Sequence, residues 1–137
     1  MRLTQLIYMS KPFGYDPVLL DDILRIARAR NRRLGITGTL ISRSDLFLQM
    51  LEGPRQAVSD TFARILEDER HIEVLLVQMA DAEGRLFSTW EMRDDPMPSW
   101  MWTREQVEAG DHREASAQEV YDIFERIAAG PPLARAS

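Results

Sequence analysis

The chain has 137 residues, with 17 Lys and Arg against 22 Asp and Glu for a formal charge of −5, and it contains no cysteine. This length predicts one domain, and 45% hydrophobic with 28% charged residues is typical of a globular protein in solution. The absence of cysteine excludes disulfides, thiolate metal sites and cysteine nucleophiles, and the acidic balance argues against nucleic acid as a ligand. Without an apolar run of ~20 residues or a signal-peptide layout, we expect a cytoplasmic protein that does not span a membrane.

The hydrophobic pattern predicts strands and helices in the order β-α-β-β-α-β-β. The predicted strands are Leu3–Met9, Thr39–Ser42, Leu46–Leu51, Ile72–Met79 and Arg85–Glu91. A first helix from about Pro17 to Arg32 carries apolar residues at helical spacing, and Gly35 and Gly38 bracket the tight entry into the next strand. A second helix opens at a proline, with an apolar stripe predicted at Val58, Phe62, Ile65 and Leu66.

This order of elements predicts a ferredoxin-like α+β fold, a five-stranded mixed sheet with the two long helices on one face. In the third strand Phe47, Gln49 and Leu51 share one face, and the apolar residues between them share the other. Both faces of the sheet are therefore apolar and both need a cover. Because the two helices cover only one face, either the segment from Asp94 onward or a partner chain must cover the second.

The segment after Asp94 carries the pattern of two further helices, which we expect at about residues 104–109 and 117–129. Capping boxes begin both of them: Thr103 with Gln106, and Ser116 with Glu119. Glycines at 110 and 130 fit helix stops. An irregular aromatic link, Pro96 to Trp102, is expected between the sheet and these helices.

Two polar residues interrupt the apolar strand faces. Gln49 lies between Phe47 and Leu51, and Tyr8 follows Leu6 on the same face of the first strand. A buried amide that is left unpaired costs ~1–3 kcal/mol. The two side chains therefore either satisfy each other in the core or bind the polar edge of a ligand placed between the sheet and the helices. The residues by themselves leave both interpretations open.

Other polar residues have ordinary structural explanations. Asn31 fits a helix end, and His71 fits a helix terminus. Arg64 and Asp68 are four residues apart on the second helix, which is the spacing of an exposed ion pair. No spacing of His, Asp and Glu resembles a metal site, and nucleophile elbows, phosphate loops and dinucleotide fingerprints are absent. The ordinary enzyme classes therefore have little support.

Six motifs occur in the order and at the spacing of a known family: LIYMS at 6–10, DIL at 22–24 leading to ARARN at 27–31, GITGTL at 35–40, FLQMLEG at 47–53, RILEDERH at 64–71 and FSTWEM at 87–92. Over roughly residues 2–93 the chain resembles the BLUF family of blue-light sensors using FAD, as a short, stand-alone bacterial type. The resemblance implies a non-covalent flavin, FAD with FMN or riboflavin as alternatives. The missing cysteine agrees with it, because such a sensor works by hydrogen bonds and needs no thiol adduct.

The resemblance also implies roles for individual residues. Tyr8 matches the photoactive tyrosine, and Gln49 matches the glutamine between that tyrosine and the N5/O4 edge of the flavin. Trp90 and Met92 match the pair on strand five that reports the switch. The implied flavin contacts, besides Gln49, are Asn31 near the C4 carbonyl, Arg64 and Asp68 on the C2/N3 side, Ile23, Phe47 and Ile65 packed on the ring, His71 near the flavin, and Arg30 near the phosphates.

The mechanism implied by the resemblance is a light-driven transfer of an electron and a proton from Tyr8 through Gln49. The rearranged hydrogen bonds shift absorption to the red, and the change passes through strand five and the C-terminal helices. Residues 1–93 would form the sensor and 94–137 a helical extension without catalytic output. We expect a homodimer or higher oligomer acting on a separate effector protein, such as a cyclic-di-GMP phosphodiesterase or a regulator.

Two alternatives stay open at this point. A flavin-free interaction module of ferredoxin-like fold would keep Tyr8 and Gln49 as core polar groups. A flavin redox enzyme is disfavoured, because no residues suggest a substrate site or a nicotinamide site.

Overall fold

The computed structural model describes residues 3–12, 17–68, 71–93 and 101–130. The strands among them are β1 (Leu3–Pro12), β2 (Thr37–Arg43), β3 (Leu46–Gly53), β4 (His71–Ala82) and β5 (Trp90–Arg93). The helices are α1 (Pro17–Leu34), α2 (Arg55–Glu67), α3 (Arg104–Glu108) and α4 (Ala117–Ala129). A short 3₁₀ helix, Asp111–Glu114, joins α3 to α4. Most of the predicted link from Pro96 to Trp102 lies outside the described residues.

The five strands form one sheet in the order β4-β1-β3-β2-β5. The pairing of β2 with β5 is parallel and the other pairings are antiparallel. The first four strands have the ferredoxin-like order, and β5 extends the sheet beside β2, which confirms the predicted fold class. The register puts Tyr8, Gln49, Leu40 and Met92 side by side on neighbouring strands. Residues from four separate stretches of the sequence therefore meet in one row across the sheet.

Each face of the sheet has its own apolar core. We call the face under α1 and α2 the front face; its core holds Leu6, Tyr8, Leu40, Phe47, Leu51 and Trp90 of the sheet with Leu24 of α1 and Val58 of α2. On the opposite, back face the core holds Ile7, Met9, Ile41, Leu46, Leu48 and Met50 with Met101, Val107, Val120, Phe124 and Ile127. Each fully buried aliphatic or aromatic side chain stabilises the fold by roughly 1.5–3 kcal/mol. The C-terminal helices thus supply the second cover that the two-sided apolar pattern requires.

The N-termini of α3 and α4 are closed by the predicted capping boxes. The Thr103 hydroxyl accepts from Gln106 N at 3.1 Å, and the Gln106 side chain accepts from Thr103 N at 2.8 Å. Ser116 and Glu119 make the same reciprocal pair, at 3.1 and 3.3 Å. Two of the free N–H groups at each helix start are satisfied in this way, so both helices begin where the sequence predicts.

Strand five is shorter and later than predicted. It was expected at Arg85–Glu91, and the structure has it at Trp90–Arg93. The physical reason is that Leu86 N and Phe87 N donate to the side chain of Glu52 and not to a neighbouring strand. Hydrophobic content predicts burial of this stretch, but it does not reveal that a carboxylate takes the place of a sheet partner.

The apolar stripe of α2 is also corrected. Leu66 was assigned to it, yet this side chain is 55% exposed, while Thr61 is buried. Val58 and Thr61, three residues apart, therefore define the face that meets the sheet, with Phe62 and Ile65 partly buried beside it. Thr61 is absent from the predicted stripe because the stripe was defined by apolar residues and threonine is polar.

Candidate functional site

A cleft of about 670 Å³ opens between α1, α2 and the front face of the sheet. The sheet contributes Tyr8, Leu40, Gln49 and Trp90 to its floor. The α1 wall consists of Leu24, Ile26, Ala27, Arg30 and Asn31, and the α2 wall consists of Thr61, Arg64, Ile65, Glu67 and Asp68. Small-molecule sites in proteins typically measure ~300–1,000 Å³ and combine apolar walls with a few polar groups. This cleft has both properties.

The floor of the cleft carries a chain of three hydrogen-bonded side chains. Gln49 Nε2 donates to the Tyr8 hydroxyl at 2.5 Å, and Trp90 Nε1 donates to Gln49 Oε1 at 2.9 Å. All three residues are buried. The tyrosine comes from β1, the glutamine from β3 and the tryptophan from β5, so sheet order β1-β3-β2-β5 is what brings them together.

Donor and acceptor chemistry fixes the orientation of the Gln49 amide. The indole of Trp90 has a donor and no acceptor, so the atom of Gln49 that faces it must be the carbonyl oxygen. The amide nitrogen then faces Tyr8, whose oxygen accepts. The orientation of the amide is therefore set by the hydrogen-bonding neighbours, and it does not depend on telling the amide oxygen from the amide nitrogen by position alone.

Tyr8 is a neutral phenol in this environment. Burial raises its pKa above the ordinary value, and the charge of Asp68 raises it further, while the hydrogen bond from Gln49 acts in the opposite direction. Burial is the largest of these effects because it removes water from the phenolate form. Tyr8 therefore keeps its proton at neutral pH. Its ring packs against Phe62 of α2, with 5.6 Å between ring centroids.

Asn31 lies in the last turn of α1, which ends at Leu34. The carbonyl oxygen of Asn31 accepts from Ile36 N at 2.8 Å, and Gly35 between them has a left-handed φ of 73°. This closure of the helix C-terminus holds the last turn of α1 against the sheet. The buried amide of Asn31 consequently faces the cleft from the α1 wall, which also carries Arg30.

A positive rim borders the cleft at Arg30 of α1 and Arg64 of α2. The pKa of Arg30 is lowered, first by loss of hydration and then by the like charges of Arg64 and Arg33, while Asp60 acts in the opposite direction. Like charges that face each other across a cleft favour an anionic group between them.

Eight of the predicted site residues meet in this cleft: Tyr8, Arg30, Asn31, Gln49, Arg64, Ile65, Asp68 and Trp90. Phe47 and Met92 lie in the front-face core and not in the cleft wall. The side chains of Ile23 and His71 lie outside the described part of the chain. Where side chains are described, no group of three or more His, Asp or Glu residues could hold a metal ion.

Sequence reasoning missed several residues of the cleft walls, among them Leu24, Ala27 and Thr61. The Thr61 hydroxyl is buried and has no hydrogen-bond partner within the described ranges. Helical spacing was the available signal, because Leu24, Ala27 and Asn31 follow one face of α1. The unpaired Thr61 hydroxyl and the Asn31 amide both line the cleft, which fits a ligand that carries hydrogen-bonding atoms as well as apolar surface.

Comparison with known proteins agrees with this geometry. A family model described as "BLUF: Sensors of blue-light using FAD" matches residues 3–93. The subunit beta of a photoactivated adenylate cyclase from Euglena gracilis is 34% identical over 101 residues, which are 72% of this chain and 12% of that protein. The chain thus spans about an eighth of this curated relative. None of the described helices is long and apolar enough to cross a membrane.

Solved structures give the same result. The dark-state structure of BlrB, a BLUF protein, matches with a TM-score of 0.73 and 34% identity over 93% of this chain and 96% of that one. Klebsiella pneumoniae BlrP1, solved as a calcium and cy-diGMP complex, matches with a TM-score of 0.65 and 27% identity over 93% of this chain and 34% of that one. The chain belongs to the BLUF family, the sensors of blue light that use FAD.

Proposed function

We propose that the front-face cleft holds the flavin non-covalently and that the hydrogen-bond chain from Tyr8 through Gln49 to Trp90 is the light switch. That chain is the single observation that carries the proposal, because it places three complementary groups on the cleft floor. When bound, the flavin would supply absorption of blue light and an acceptor for one electron. The remaining components of the switch are the side chains of Tyr8, Gln49 and Trp90.

The residues of the walls suit the parts of a flavin. The Asn31 amide, the Arg64 guanidinium and the Asp68 carboxylate offer donors and acceptors for the polar edge of the ring, and Ile65 offers an apolar contact. We also assign Ile23, Phe47 and His71 to the flavin surroundings on the strength of the family resemblance. Arg30 would face the phosphates, so FAD or FMN suits the positive rim better than riboflavin, and we propose FAD.

We propose that Tyr8 would give an electron to the bound flavin and its proton, by way of Gln49, to the same group, and that Tyr8 would regain both when the charges recombine. In the observed orientation Gln49 presents its amide nitrogen to Tyr8, so it cannot accept that proton. If the amide rotates, its carbonyl oxygen faces Tyr8 as an acceptor, and if it tautomerises instead, the imino nitrogen of the imidic acid faces Tyr8 as an acceptor. Rotation also brings the amide nitrogen against the Trp90 N–H, and two donors repel each other. Trp90 would then have to leave Gln49.

Met92 is suited to replace Trp90. It lies two residues further along β5, on the same face of the strand, and packs against the front-face core. Its thioether sulfur is a weak acceptor and can face the amide nitrogen of a rotated Gln49, whereas tryptophan can only donate. The two orientations of Gln49 thus prefer different residues of β5, which makes the pair a two-state element.

For the output, we propose that the change in β5 passes to α3 and α4 and from there to an effector. Residues 1–93 would be the sensor and 94–137 the output extension. The relatives include an adenylate cyclase and a protein solved with cy-diGMP. An effector that makes or degrades a cyclic nucleotide is therefore our proposed partner, engaged by a homodimer of this chain.

The purified protein tests the cofactor directly. We expect flavin absorption bands between about 400 and 500 nm, and release of FAD when the protein is denatured. Illumination with blue light should shift these bands reversibly to the red. A colourless protein that releases no flavin and cannot be loaded with added FAD would contradict the proposal and would favour the flavin-free interaction module.

A further inference from the structure

The segment that leads into β5, residues 85–89, connects the two faces of the sheet. Phe87 packs on the back face against Phe124 of α4, with ring centroids 6.5 Å apart and nearly perpendicular planes. Trp90, only three residues later, points to the front face and donates to Gln49. One short segment therefore contacts both the proposed light switch and the helix that covers the opposite face.

Glu52 of β3 holds this segment at its middle. Its carboxylate has no solvent exposure and accepts from Leu86 N at 2.6 Å and from Phe87 N at 2.9 Å. Gln5 of β1 donates to the same carboxylate at 2.8 Å, and the Thr37 hydroxyl lies 3.4 Å from it. A buried carboxylate is costly unless such bonds satisfy it, and charge-assisted hydrogen bonds are about twice as strong as neutral ones.

Arg85 strengthens the attachment from the outside. Its guanidinium donates to the Thr37 hydroxyl at 2.7 Å and to the carbonyl oxygens of Gly35 at 2.9 Å and Glu52 at 3.0 Å. The segment is thereby tied to the end of α1, to β2 and to β3. By contrast, β5 itself is an edge strand that pairs only with β2 over Trp90–Arg93 in the described part of the sheet.

We propose that Glu52 is the positioning residue of the light switch. Its carboxylate fixes the backbone at Leu86 and Phe87, and together with the bond from Gly38 N to the carbonyl oxygen of Thr89 at 3.1 Å it sets where Trp90 meets Gln49 on one side. On the other side it sets where Phe87 meets Phe124. Movement of Trp90 away from Gln49 then turns the segment about this fixed point and changes the packing of Phe87 on α4. The inference rests on the proposed function, because it assigns a role in the same switch.

The variant Glu52→Gln tests the attachment. Each carboxylate oxygen accepts from one of the two backbone N–H groups, so either orientation of a glutamine amide places its NH₂ group against one of them. In the dark we expect amide exchange at Leu86 or Phe87 to rise about tenfold or more, since a lost charge-assisted bond has that effect. Gln5→Met is the matched control, because it removes a bond to the same carboxylate without touching the segment.

The second measurement is the rate at which the red-shifted state returns to the dark state after illumination. Glu52→Gln should return from the red-shifted state about tenfold faster or slower than wild type, whereas Gln5→Met should stay within about twofold. If Glu52 acted only in folding, both variants would change the stability of the protein and neither would change the rate of return from the red-shifted state. Wild-type exchange at Leu86 and Phe87, or wild-type recovery in a folded, flavin-loaded Glu52→Gln protein, would overturn the proposal.

A second variant covers the case in which Glu52→Gln does not fold. Phe87→Leu keeps the backbone bonds to Glu52 and removes the ring contact with Phe124. The red shift should remain, while the light-induced change in amide exchange along α4 should disappear. An unchanged response of α4 would overturn the proposal. Absence of flavin from wild type would instead refute the proposed function, and dark amide exchange would still report on the Glu52 attachment.

Discussion

At the residue scale, the site depends on which atoms can donate and which can accept. Tyr8 and Gln49 were predicted as a pair because two polar residues fell on one apolar face. Trp90 completes the set, and its lone N–H decides which way the Gln49 amide points. Glu52 was not predicted, because a glutamate at a strand end looks like an exposed residue. Its partners Leu86 and Phe87 are more than 30 positions away in the chain.

The variant Tyr8→Phe removes the hydroxyl and keeps the ring that packs on Phe62. We expect flavin to stay bound and the light-induced red shift to disappear, because phenylalanine has no proton to give to Gln49. The light-minus-dark absorption spectrum measures this. Tyr121→Phe is the control, since Tyr121 packs on the back face and should leave the shift intact. A shift of wild-type size in Tyr8→Phe would remove Tyr8 from the switch.

Gly38 is a second residue-scale requirement. Its φ is 140°, and a Cβ atom built there would lie 2.0 Å from the carbonyl oxygen of Met50. Strain of this kind costs roughly 1–3 kcal/mol before any clash is counted. We therefore expect Gly38→Ala to lower the free energy of unfolding by at least about 2 kcal/mol in urea denaturation. Gly84→Ala, where a Cβ meets nothing within 4 Å, should change stability by less than about 0.5 kcal/mol.

At the element scale, the hairpin of β2 and β3 is fastened to the start of the C-terminal helices. The buried guanidinium of Arg43 pairs with Asp45, and it donates to the carbonyl oxygen of Trp102 at 2.9 Å. From the other side, Arg104 of α3 donates to the Ser44 hydroxyl at 2.8 Å. The sequence predicted the hairpin and the helices separately. Only the folded chain shows that polar contacts join them.

Replacing Arg43 by alanine should loosen this junction. The change removes the bond to Trp102 and the pairing with Asp45, which is partly exposed and keeps Arg104 at 3.7 Å, so we expect a cost of about 1.5–3 kcal/mol. The urea midpoint and the amide exchange of α3 measure the effect. Arg55→Ala removes an exposed ion pair with Asp81 and should have no measurable effect. Equal stability of the two variants would mean that Arg43 does not hold the helices.

At the scale of the whole molecule, the sheet is stabilised because helices of the same chain cover both of its apolar faces. The front cover leaves a cleft, and the back cover packs Val107, Val120, Phe124 and Ile127 against the sheet. Burial of His112 beside Trp102, with ring centroids 5.9 Å apart, marks where the back cover meets the hairpin. Because His112 is buried at this junction, a positive charge on it should weaken the packing of the C-terminal helices on the sheet.

The stability of the folded chain should fall as the pH drops from about 7 to 5. Burial lowers the pKa of His112, as do the charges of Arg113 and Arg43, with Asp45 and Asp111 acting against them. The unfolded chain then binds the proton first, at a pKa of about 6.5, so acid favours unfolding until the folded pKa is passed. Urea midpoints across this range measure the effect, and His112→Asn should reduce the slope. An unchanged slope would contradict it.

The sequence alone determined the elements that local patterns encode. Alternation along β1 and β3 revealed two apolar faces, and the capping pairs located α3 and α4, because each depends on residues a few positions apart. The motifs between residues 6 and 92 also identified the family. Tertiary structure decided what depends on distant partners: the start of β5, the burial of Glu52 and Arg43, and Trp90 rather than Met92 beside Gln49. Those features depend on hydrogen bonds between segments that only the folded sheet brings into contact.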